Sequence, residues 1–204
     1  YGNISVLECS GNGLTTLDVT KMPTLTHLIS RDNYVEEMDF SKCKELKVVC
    51  IQSSPLKSLD LSENTKIDSV IVSNNRIASL KLPQESELEY LLCTTNSPLT
   101  ELDLSGCPKL KYLDAMQTMV TKYDLSKNKQ LTYVAAGLGR PITQFVLPEQ
   151  NNIDTLMLPM ANISSIDLSQ TKKLKYLQLD NNFTLTKLDL SGMTSLETLL
   201  CESA

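Results

Sequence analysis

The chain has 204 residues, 41% hydrophobic and 21% charged, so it can bury a core and lacks the composition of a disordered chain. Its formal net charge of −5 argues against nucleic acid as a partner, because binding phosphates requires a basic surface. The sequence has no apolar run of the roughly 18 residues that a membrane-spanning helix needs.

The most regular feature of the sequence is a repeat of 21 or 22 residues that continues from one end to the other. A unit reads approximately LxxLxC-xxN-xL-xxLDLS-xN-xx, with copies such as LKSLDLSEN at 56–64 and LTELDLSGC at 99–107. The units of 22 residues take the extra residue just after the Asn slot, which indicates a loop on one edge of a stack. The predicted units start at Ile4, Leu25, Leu46, Ile67, Leu88, Leu110, Leu131, Ile153, Leu174 and Leu196.

This periodicity predicts a solenoid. The LxxLxC segment alternates as a strand requires, with the fourth and sixth positions facing inward. One unit buries too few apolar side chains to offset the ordering of its residues, so successive units must stack. No apolar stripe of helical period continues for three turns, so the other side is expected to consist of short extended segments.

The quoted motifs resemble leucine-rich repeats, in particular the short 21-residue repeats of internalin J-like bacterial surface proteins, where Cys is common at the inward slot. The resemblance covers essentially the whole chain. It implies a right-handed solenoid with a parallel β-sheet on the concave face, a convex side of extended segments and turns, and little or no α-helix. It also implies an extracellular or cell-surface role in binding proteins or glycans.

We expect one leucine-rich repeat domain over residues 1–204, with nine complete units and the first strand of a tenth. Neither end has the polar cover that a solenoid needs to hide its core and block edge pairing. The chain is therefore expected to be part of a longer polypeptide.

The sixth position of the unit is small or apolar throughout, which predicts that its cysteines are structural and buried. Cys9 and Cys93 lie four units apart, about 19 Å at strand spacing, and a disulfide needs Cα atoms within about 7 Å. Cys50 is expected to face the concave surface as a free thiol, and a metal or redox role is the alternative for the inward thiols. The inward cysteines are Cys9, Cys93 and Cys201.

Two polar columns accompany the apolar ones. The ninth position is expected to hold buried asparagines that satisfy backbone groups at the turn, namely Asn12, Asn33, Asn75, Asn96 and Asn182. A second column, in the LDLS segment, has two readings: the carboxylates bond the local turn backbone, or the stack binds calcium. Its members are Asp18, Asp39, Asp60, Asp103, Asp124, Asp167 and Asp189.

Catalysis is not expected. His27 is the only histidine, which rules out a zinc site built from several histidines. A Ser-His-Asp relay would have to use His27, and the chain has no G-x-S-x-G nucleophile elbow. The glycine pairs Gly11/Gly13 and Gly137/Gly139 lack the third glycine of a dinucleotide loop, so no cofactor is expected.

The third, fifth and seventh positions of each unit are predicted to face the concave sheet surface. Four of the seven tyrosines lie in the third column, and the fifth column is unusually apolar for a solvent-facing row. Tyrosine suits protein interfaces and sugar stacking, although it is also an ordinary strand former that packs against neighbouring strands. The predicted contact surface consists of Tyr90, Leu92, Tyr112, Asp114, Met116, Tyr133, Met157, Tyr176 and Gln178.

These observations favour a non-catalytic bacterial recognition module, secreted or attached to the cell surface, that binds a protein or carbohydrate ligand, including one derived from a host. One alternative is a structural spacer that presents a neighbouring domain. Another is the recruiting arm of an enzyme whose catalytic domain lies outside this chain. The seventh unit, with Gly137 and Gly139, departs most from the pattern and is either a shallow dip or a degenerate repeat.

Overall fold

The computed structural model describes residues 2–203, and its secondary structure consists of short strands. Every strand has three residues, and the described residues contain no helix. In chain order the strands are β1 (Val6–Glu8), β2 (His27–Ile29), β3 (Val48–Cys50), β4 (Ser58–Asp60), β5 (Ser69–Ile71), β6 (Ser79–Lys81), β7 (Tyr90–Leu92), β8 (Tyr112–Asp114), β9 (Lys122–Asp124), β10 (Tyr133–Ala135), β11 (Gln144–Val146), β12 (Thr155–Met157), β13 (Tyr176–Gln178) and β14 (Thr198–Leu200).

Ten strands form one parallel sheet in the order β1-β2-β3-β5-β7-β8-β10-β12-β13-β14. On the rest of the coil, β4 pairs with β6 and β9 pairs with β11, both in parallel. Pairing in the large sheet joins equivalent positions of successive repeats, as in Tyr90 with Tyr112 and Leu91 with Leu113. The chain is therefore a parallel β-solenoid with one strand of the large sheet in each coil, and the predicted fold is confirmed. The single domain over 1–204 and its place in a longer polypeptide stay predictions, and residues 1 and 204 lie outside the described residues.

The core follows the predicted columns. In the fifth coil, Leu88, Leu91 and Cys93 occupy the first, fourth and sixth positions, and none of them has exposed surface. The same three positions are equally buried in the coils on either side, as Leu110, Leu113 and Ala115 show for the next coil. Because identical positions stack, each side chain is buried chiefly by its counterparts in the neighbouring coils, which is how a solenoid builds a core from units that cannot fold alone.

Large aromatic side chains enter the core on the side away from the large sheet. Phe40 and Tyr123 are both buried, and the rings of Tyr123 and Phe145 lie 5.7 Å apart at 54°. The Tyr123 hydroxyl lies 3.3 Å from Thr118 Oγ1, so its polar end has a partner inside the core. These residues replace leucine in the LDL segment.

A ladder of asparagine amides ties each coil to the one before it. Asn96 Nδ2 donates to Val72 O in the preceding coil at 2.8 Å and to Cys93 O in its own coil at 3.0 Å, while its Oδ1 accepts from Ile77 N at 3.0 Å. Asn182 repeats this arrangement, and so do Asn33 and Asn75 with small variations. All four are buried.

Asn12 differs from the other members, and the prediction that it is buried is wrong. It is exposed, and its Nδ2 donates only to Cys9 O and Ser10 O of its own coil. The physical reason is that the first described coil has no preceding coil whose carbonyls it could reach. For the same reason Cys9 is half-buried, and Cys201 in the last described coil is half-buried as well.

A second polar ladder, on the opposite side of the coil, was not predicted. Asn128 Nδ2 donates to Leu104 O at 2.9 Å and to Cys107 O at 2.8 Å, and Asn64 makes the equivalent pair of bonds to Phe40 and Cys43. Both asparagines are buried, and their Oδ1 atoms have no protein partner. Cysteine shares the column: Cys43 Sγ lies 3.4 Å from Val19 O, and both Cys43 and Cys107 are buried.

Each coil also passes through a left-handed backbone conformation at its eighth position, one residue before the asparagine ladder. The residues with positive φ there are Gly11, Asp32, Ser53, Asn74, Thr95, Gln117, Leu138, Met160, Asn181 and Ser203. Their amides continue the inter-coil ladder beyond the strands, as when Thr95 N donates to Met116 O at 3.0 Å. The turn is therefore set by hydrogen bonding between coils, which explains why so few glycines are needed.

Cys50 is a free thiol at an outward position of β3, as predicted, but it is not exposed to solvent. Its side chain is only 2% exposed, because the Arg31 side chain of the preceding coil covers it with Nε donating to Sγ at 3.2 Å. All six cysteines are free, including Cys93 at the inward slot. Burial, with a smaller contribution from the charge of Asp114, raises the pKa of the Cys93 thiol to about 12, which makes it a poor nucleophile.

We expect two classes of thiol in reaction with Ellman's reagent at pH 8. Cys9 and Cys201 are half-buried and should react promptly in the native protein, whereas the four buried thiols should react only as the chain opens. In denaturant all six should titrate. A denatured count below six would mean that a disulfide forms, and a prompt native count of six would contradict the burial of Cys93.

Candidate functional site

The sheet face, defined as the outward side of the ten-stranded sheet, holds every residue of the predicted contact surface. Strand alternation places the third and fifth positions of each coil outward, and all nine predicted residues are half-buried. Eight of them lie on β7, β8, β10, β12 and β13, and Met116 follows β8. The structure thus brings the predicted residues onto one surface, while their role in binding stays a prediction.

Three tyrosines on this face form a continuous stack. The rings of Tyr90 and Tyr112 lie 4.3 Å apart at 13°, and those of Tyr112 and Tyr133 lie 4.2 Å apart at 6°. Their strands are adjacent in register, so the spacing between coils sets the spacing between rings. The stack therefore covers the inner ring faces and presents ring edges and hydroxyl groups to solvent.

The hydroxyl groups of the stack are only partly exposed to solvent. Burial, followed by the charge of Tyr133 and a hydrogen bond to it, raises the pKa of Tyr112 to about 12, and burial likewise raises the pKa values of Tyr90 and Tyr133. Tyr133 Oη donates to Met157 Sδ at 3.3 Å. These tyrosines are neutral at physiological pH and act as hydrogen-bonding groups on an otherwise apolar surface.

Asp114 is the carboxylate beside the stack. It lies between Leu92 and Ala135 on the neighbouring strands, and Oδ1 accepts a hydrogen bond from Met116 N at 3.2 Å. Burial raises the pKa of Asp114, and the Met116 bond opposes that shift. Ala135 has no exposed surface although it points outward.

The C-terminal part of the predicted surface is separate from the stack. Thr155 stands between Tyr133 and Tyr176 in the sheet, so Tyr176 is not stacked on the other three tyrosines. Gln178 Nε2 donates to Asp180 Oδ2 at 2.8 Å, which fixes both side chains along one edge. The predicted surface thus consists of a tyrosine cluster and a smaller polar group two coils further on.

Six of the sixteen lysines form ion pairs between coils, away from the sheet face. Each contacts a carboxylate of an adjacent coil, and all of these pairs are exposed, so each contributes little to stability. They are Lys44–Glu63, Lys57–Glu36, Lys66–Glu45, Lys81–Asp60, Lys109–Glu87 and Lys111–Glu89.

The aspartate column has the turn-bonding geometry that the sequence offered as one reading. In every member Oδ1 accepts from the backbone amide two residues ahead, as Asp60 does from Ser62 N at 3.0 Å. The Ser62 hydroxyl and amide, together with Lys81, lower the pKa of Asp60 to about 2. Within residues 2–203, no cluster of three or more His, Cys, Asp or Glu side chains is arranged to hold a metal ion.

The lowered pKa values in the aspartate column predict that the protein loses stability in acid. Because the folded pKa of Asp60 lies below its unfolded value, its contribution is present above about pH 4 and is lost as the pH falls toward about 2. In urea denaturation across that range, Asp60→Asn should flatten the decline. Asp68→Asn is the matched control. Because burial raises the pKa of Asp68, this substitution should change the pH dependence of stability in the opposite direction. Identical acid profiles for the two variants would contradict this explanation.

An open hollow along the turn edge of the first four coils was not predicted. It measures about 1050 Å³, and its lining includes Thr15, Tyr34, Glu36, Glu37 and Arg76. Tyr34 is 65% exposed and lies off the sheet face. The sequence signal that could have indicated it is the aromatic residue directly after the Asn33 slot, where the other coils carry mostly small or polar residues.

Comparison with known proteins agrees with the geometry. A family model described as Leucine Rich repeat matches residues 95–111. No curated protein matches the chain. The fold is similar to the functional domain of InlJ from Listeria monocytogenes, described as including a cysteine ladder, with 20% identity, a TM-score of 0.62, and coverage of 97% of this chain and 55% of that one.

Two further structures share the fold. Internalin C2 from Listeria monocytogenes is 17% identical with a TM-score of 0.62, and the match covers 97% of this chain and 80% of that one. TLR13 in complex with ssRNA13 is 19% identical with a TM-score of 0.65, and the match covers 96% of this chain and 36% of that one. The chain thus spans about half of the InlJ domain and about a third of TLR13.

The inward slot differs from a continuous cysteine ladder, because Cys9, Cys93 and Cys201 are never in neighbouring coils. Residues 2–203 contain no apolar helix with the length that is required to span a membrane. The coil geometry and the shared fold show that the chain has the fold of a leucine-rich-repeat solenoid, and the Leucine Rich repeat model matches one of its repeats.

Proposed function

We propose that this chain is a non-catalytic recognition module that binds a protein or carbohydrate ligand through the sheet face. The observation that carries the proposal is the stack of Tyr90, Tyr112 and Tyr133 beside an apolar row that includes Leu92 and Met157. Rigid aromatic side chains with polar ends contribute large contact areas at low entropic cost, which suits an interface. Contiguous apolar surface on a soluble protein often marks an interaction site.

The proposal includes a bacterial extracellular or cell-surface location. It is supported by the similarity of the fold to two internalins of Listeria monocytogenes. The net charge of −5 supports a partner other than nucleic acid, although TLR13, which shares the fold, is described in complex with ssRNA13. The proposal involves no cofactor and no direct insertion into a membrane.

The runner-up function is a structural spacer that presents a neighbouring domain. The asparagine ladders and the ion pairs between coils favour it, because both couple each coil to the next and make the solenoid stiff. A recruiting arm of an enzyme encoded in the same polypeptide would use the same surface as the recognition module.

The experiment that tests recognition is binding of the chain to a glycan array and to a peptide array of defined composition. Tyr112→Ala/Tyr133→Ala should weaken binding at least tenfold while circular dichroism stays that of the native protein. Tyr34→Ala is the matched control, since this tyrosine is exposed away from the sheet face and should leave binding unchanged. A folded double variant that binds like the wild type would contradict recognition by this face and favour the spacer.

A further inference from the structure

Asp114 on the sheet face is a carboxylate that no side chain of residues 2–203 neutralises. Asp114 is half-buried, and its hydrogen bond from Met116 N is an interaction with a neutral group. None of the ion pairs among residues 2–203 includes it. Lys111, the nearest lysine along the chain, is engaged by Glu89 of the preceding coil at 2.7 Å.

The surrounding surface makes this carboxylate unusual. From the third coil onward, the third, fifth and seventh positions hold no lysine or arginine, and Arg31 in the second coil covers Cys50 instead. Asp180 on the same face also lacks an ion pair, but it accepts hydrogen bonds from Gln178 Nε2 and Glu202 N, whereas Asp114 accepts only from Met116 N. A charge partly removed from water without a counter-charge has a free-energy cost, so the isolated protein is less stable with Asp114 ionised.

We propose that Asp114 anchors a lysine or arginine side chain from a basic segment of a protein partner, an inference that rests on the proposed recognition function. The cation would pair with the carboxylate in a partly desolvated setting, where charge-assisted hydrogen bonds are strong. The hydroxyl oxygens of Tyr112 and Tyr133 can accept from the same cation. Leu92 and Met116 flank Asp114 and offer apolar contact to the methylene stem.

The geometry of the stack favours a basic polypeptide over a glycan. A sugar ring stacks on an open aromatic face, but the ring separations of 4.3 and 4.2 Å cover both faces of Tyr112 and leave only the outer faces of Tyr90 and Tyr133. A neutral sugar would also leave Asp114 without a counter-charge. Burial raises the pKa of Asp114, which is the state expected of a carboxylate whose counter-ion arrives with the ligand.

The test uses a fluorescently labelled octalysine peptide and measures its anisotropy at two salt concentrations. The wild type should bind it, and Asp114→Asn should weaken binding at least tenfold. Asp124→Asn is the matched control: it removes the same charge from an exposed position on β9, away from the sheet face, and should change affinity less than twofold. A labelled octaglutamate peptide should not bind.

Stability provides a second readout that separates lost binding from misfolding. Asp114→Asn should raise the urea midpoint at pH 7, because it removes an uncompensated charge, while it weakens octalysine binding. Equal losses of affinity in Asp114→Asn and Asp124→Asn would overturn the inference, since they would show general attraction to an acidic protein. Unchanged octalysine affinity in Asp114→Asn would overturn it as well. If Tyr112→Ala/Tyr133→Ala still weakens binding to the arrays in that case, the recognition function is supported and only the proposal of a basic partner is wrong.

Discussion

Asn96→Ala is expected to lower the free energy of unfolding by about 3 kcal/mol or more, because each buried backbone group left without a partner costs about 1–3 kcal/mol. Cys93 O loses its side-chain donor and Ile77 N loses its acceptor, whereas Val72 O keeps the Asn75 amide as a donor. Alanine would also leave a cavity between two coils that water cannot readily fill. Urea denaturation followed by circular dichroism at 218 nm, chosen to report on strands, measures the loss.

Asn12→Ala is the control for this substitution, because Asn12 occupies the same column but is exposed and bonds only within its own coil. Its effect should stay below about 1 kcal/mol. Asn96→Thr should fall between the two, since Thr118 Oγ1 donates to Ala115 O at 2.9 Å in the same column. Equal losses for Asn12→Ala and Asn96→Ala would show that the amide does not join the coils.

Gly137→Ala is the second substitution expected to have a large effect, again about 3 kcal/mol or more of lost stability, since overpacking and backbone strain add. Gly137 has a φ of +109°, and a Cβ at this residue would lie 2.3 Å from Pro159 O in the next coil. The backbones would have to separate, which would also stretch the bond from Gln117 N to Gly137 O.

The control is Gly11→Ala, where φ is +69° but a Cβ meets nothing within 4 Å. Only the conformational penalty applies there, about 1 kcal/mol. Thermal and urea denaturation of the two variants would separate strain from close packing. If both substitutions destabilise the protein by the same amount, the close approach of the seventh and eighth coils is not what requires glycine at Gly137.

The sequence predicts the fold well because the repeat carries the same information many times. Leu88, Leu91 and Cys93 could be assigned inward positions from the period and the strand alternation alone, and all three are buried. Any single unit is ambiguous, but only one register keeps apolar residues in the same columns along the whole chain.

What the sequence did not reveal depends on contacts between particular side chains. Alternation shows that Cys50 points outward, but its burial results from Arg31 in the preceding coil, which no rule of periodicity includes. The second ladder was missed because its column alternates between asparagine and cysteine, as at Asn64 and Cys107, and one-residue insertions shift it between units. Only some of its members, such as Cys43, Asn64 and Asn128, bond to the preceding coil, so the residue types alone do not indicate the ladder.

The candidate site, too, could be predicted only in part from the sequence. The third column placed the tyrosines on the sheet face, and the structure brings them together there. Their stacking, and therefore the loss of open ring faces, depends on ring orientation and could not be read from the spacing. Asp114 was included as one of several polar neighbours, while its lack of a counter-charge became evident only once the lysines were seen to pair between coils.

The central claim is that each repeat forms one coil and that every coil is hydrogen-bonded to the next at equivalent positions. Native-state hydrogen exchange of backbone amides tests it most directly. Strong protection should recur at intervals of 21 or 22 residues, at Ser30, Ile51, Val72, Cys93, Ala115 and Ala136, whose amides donate to the following coil. Protection without this period, or fast exchange at Val72 and Cys93 in the folded protein, would contradict the account.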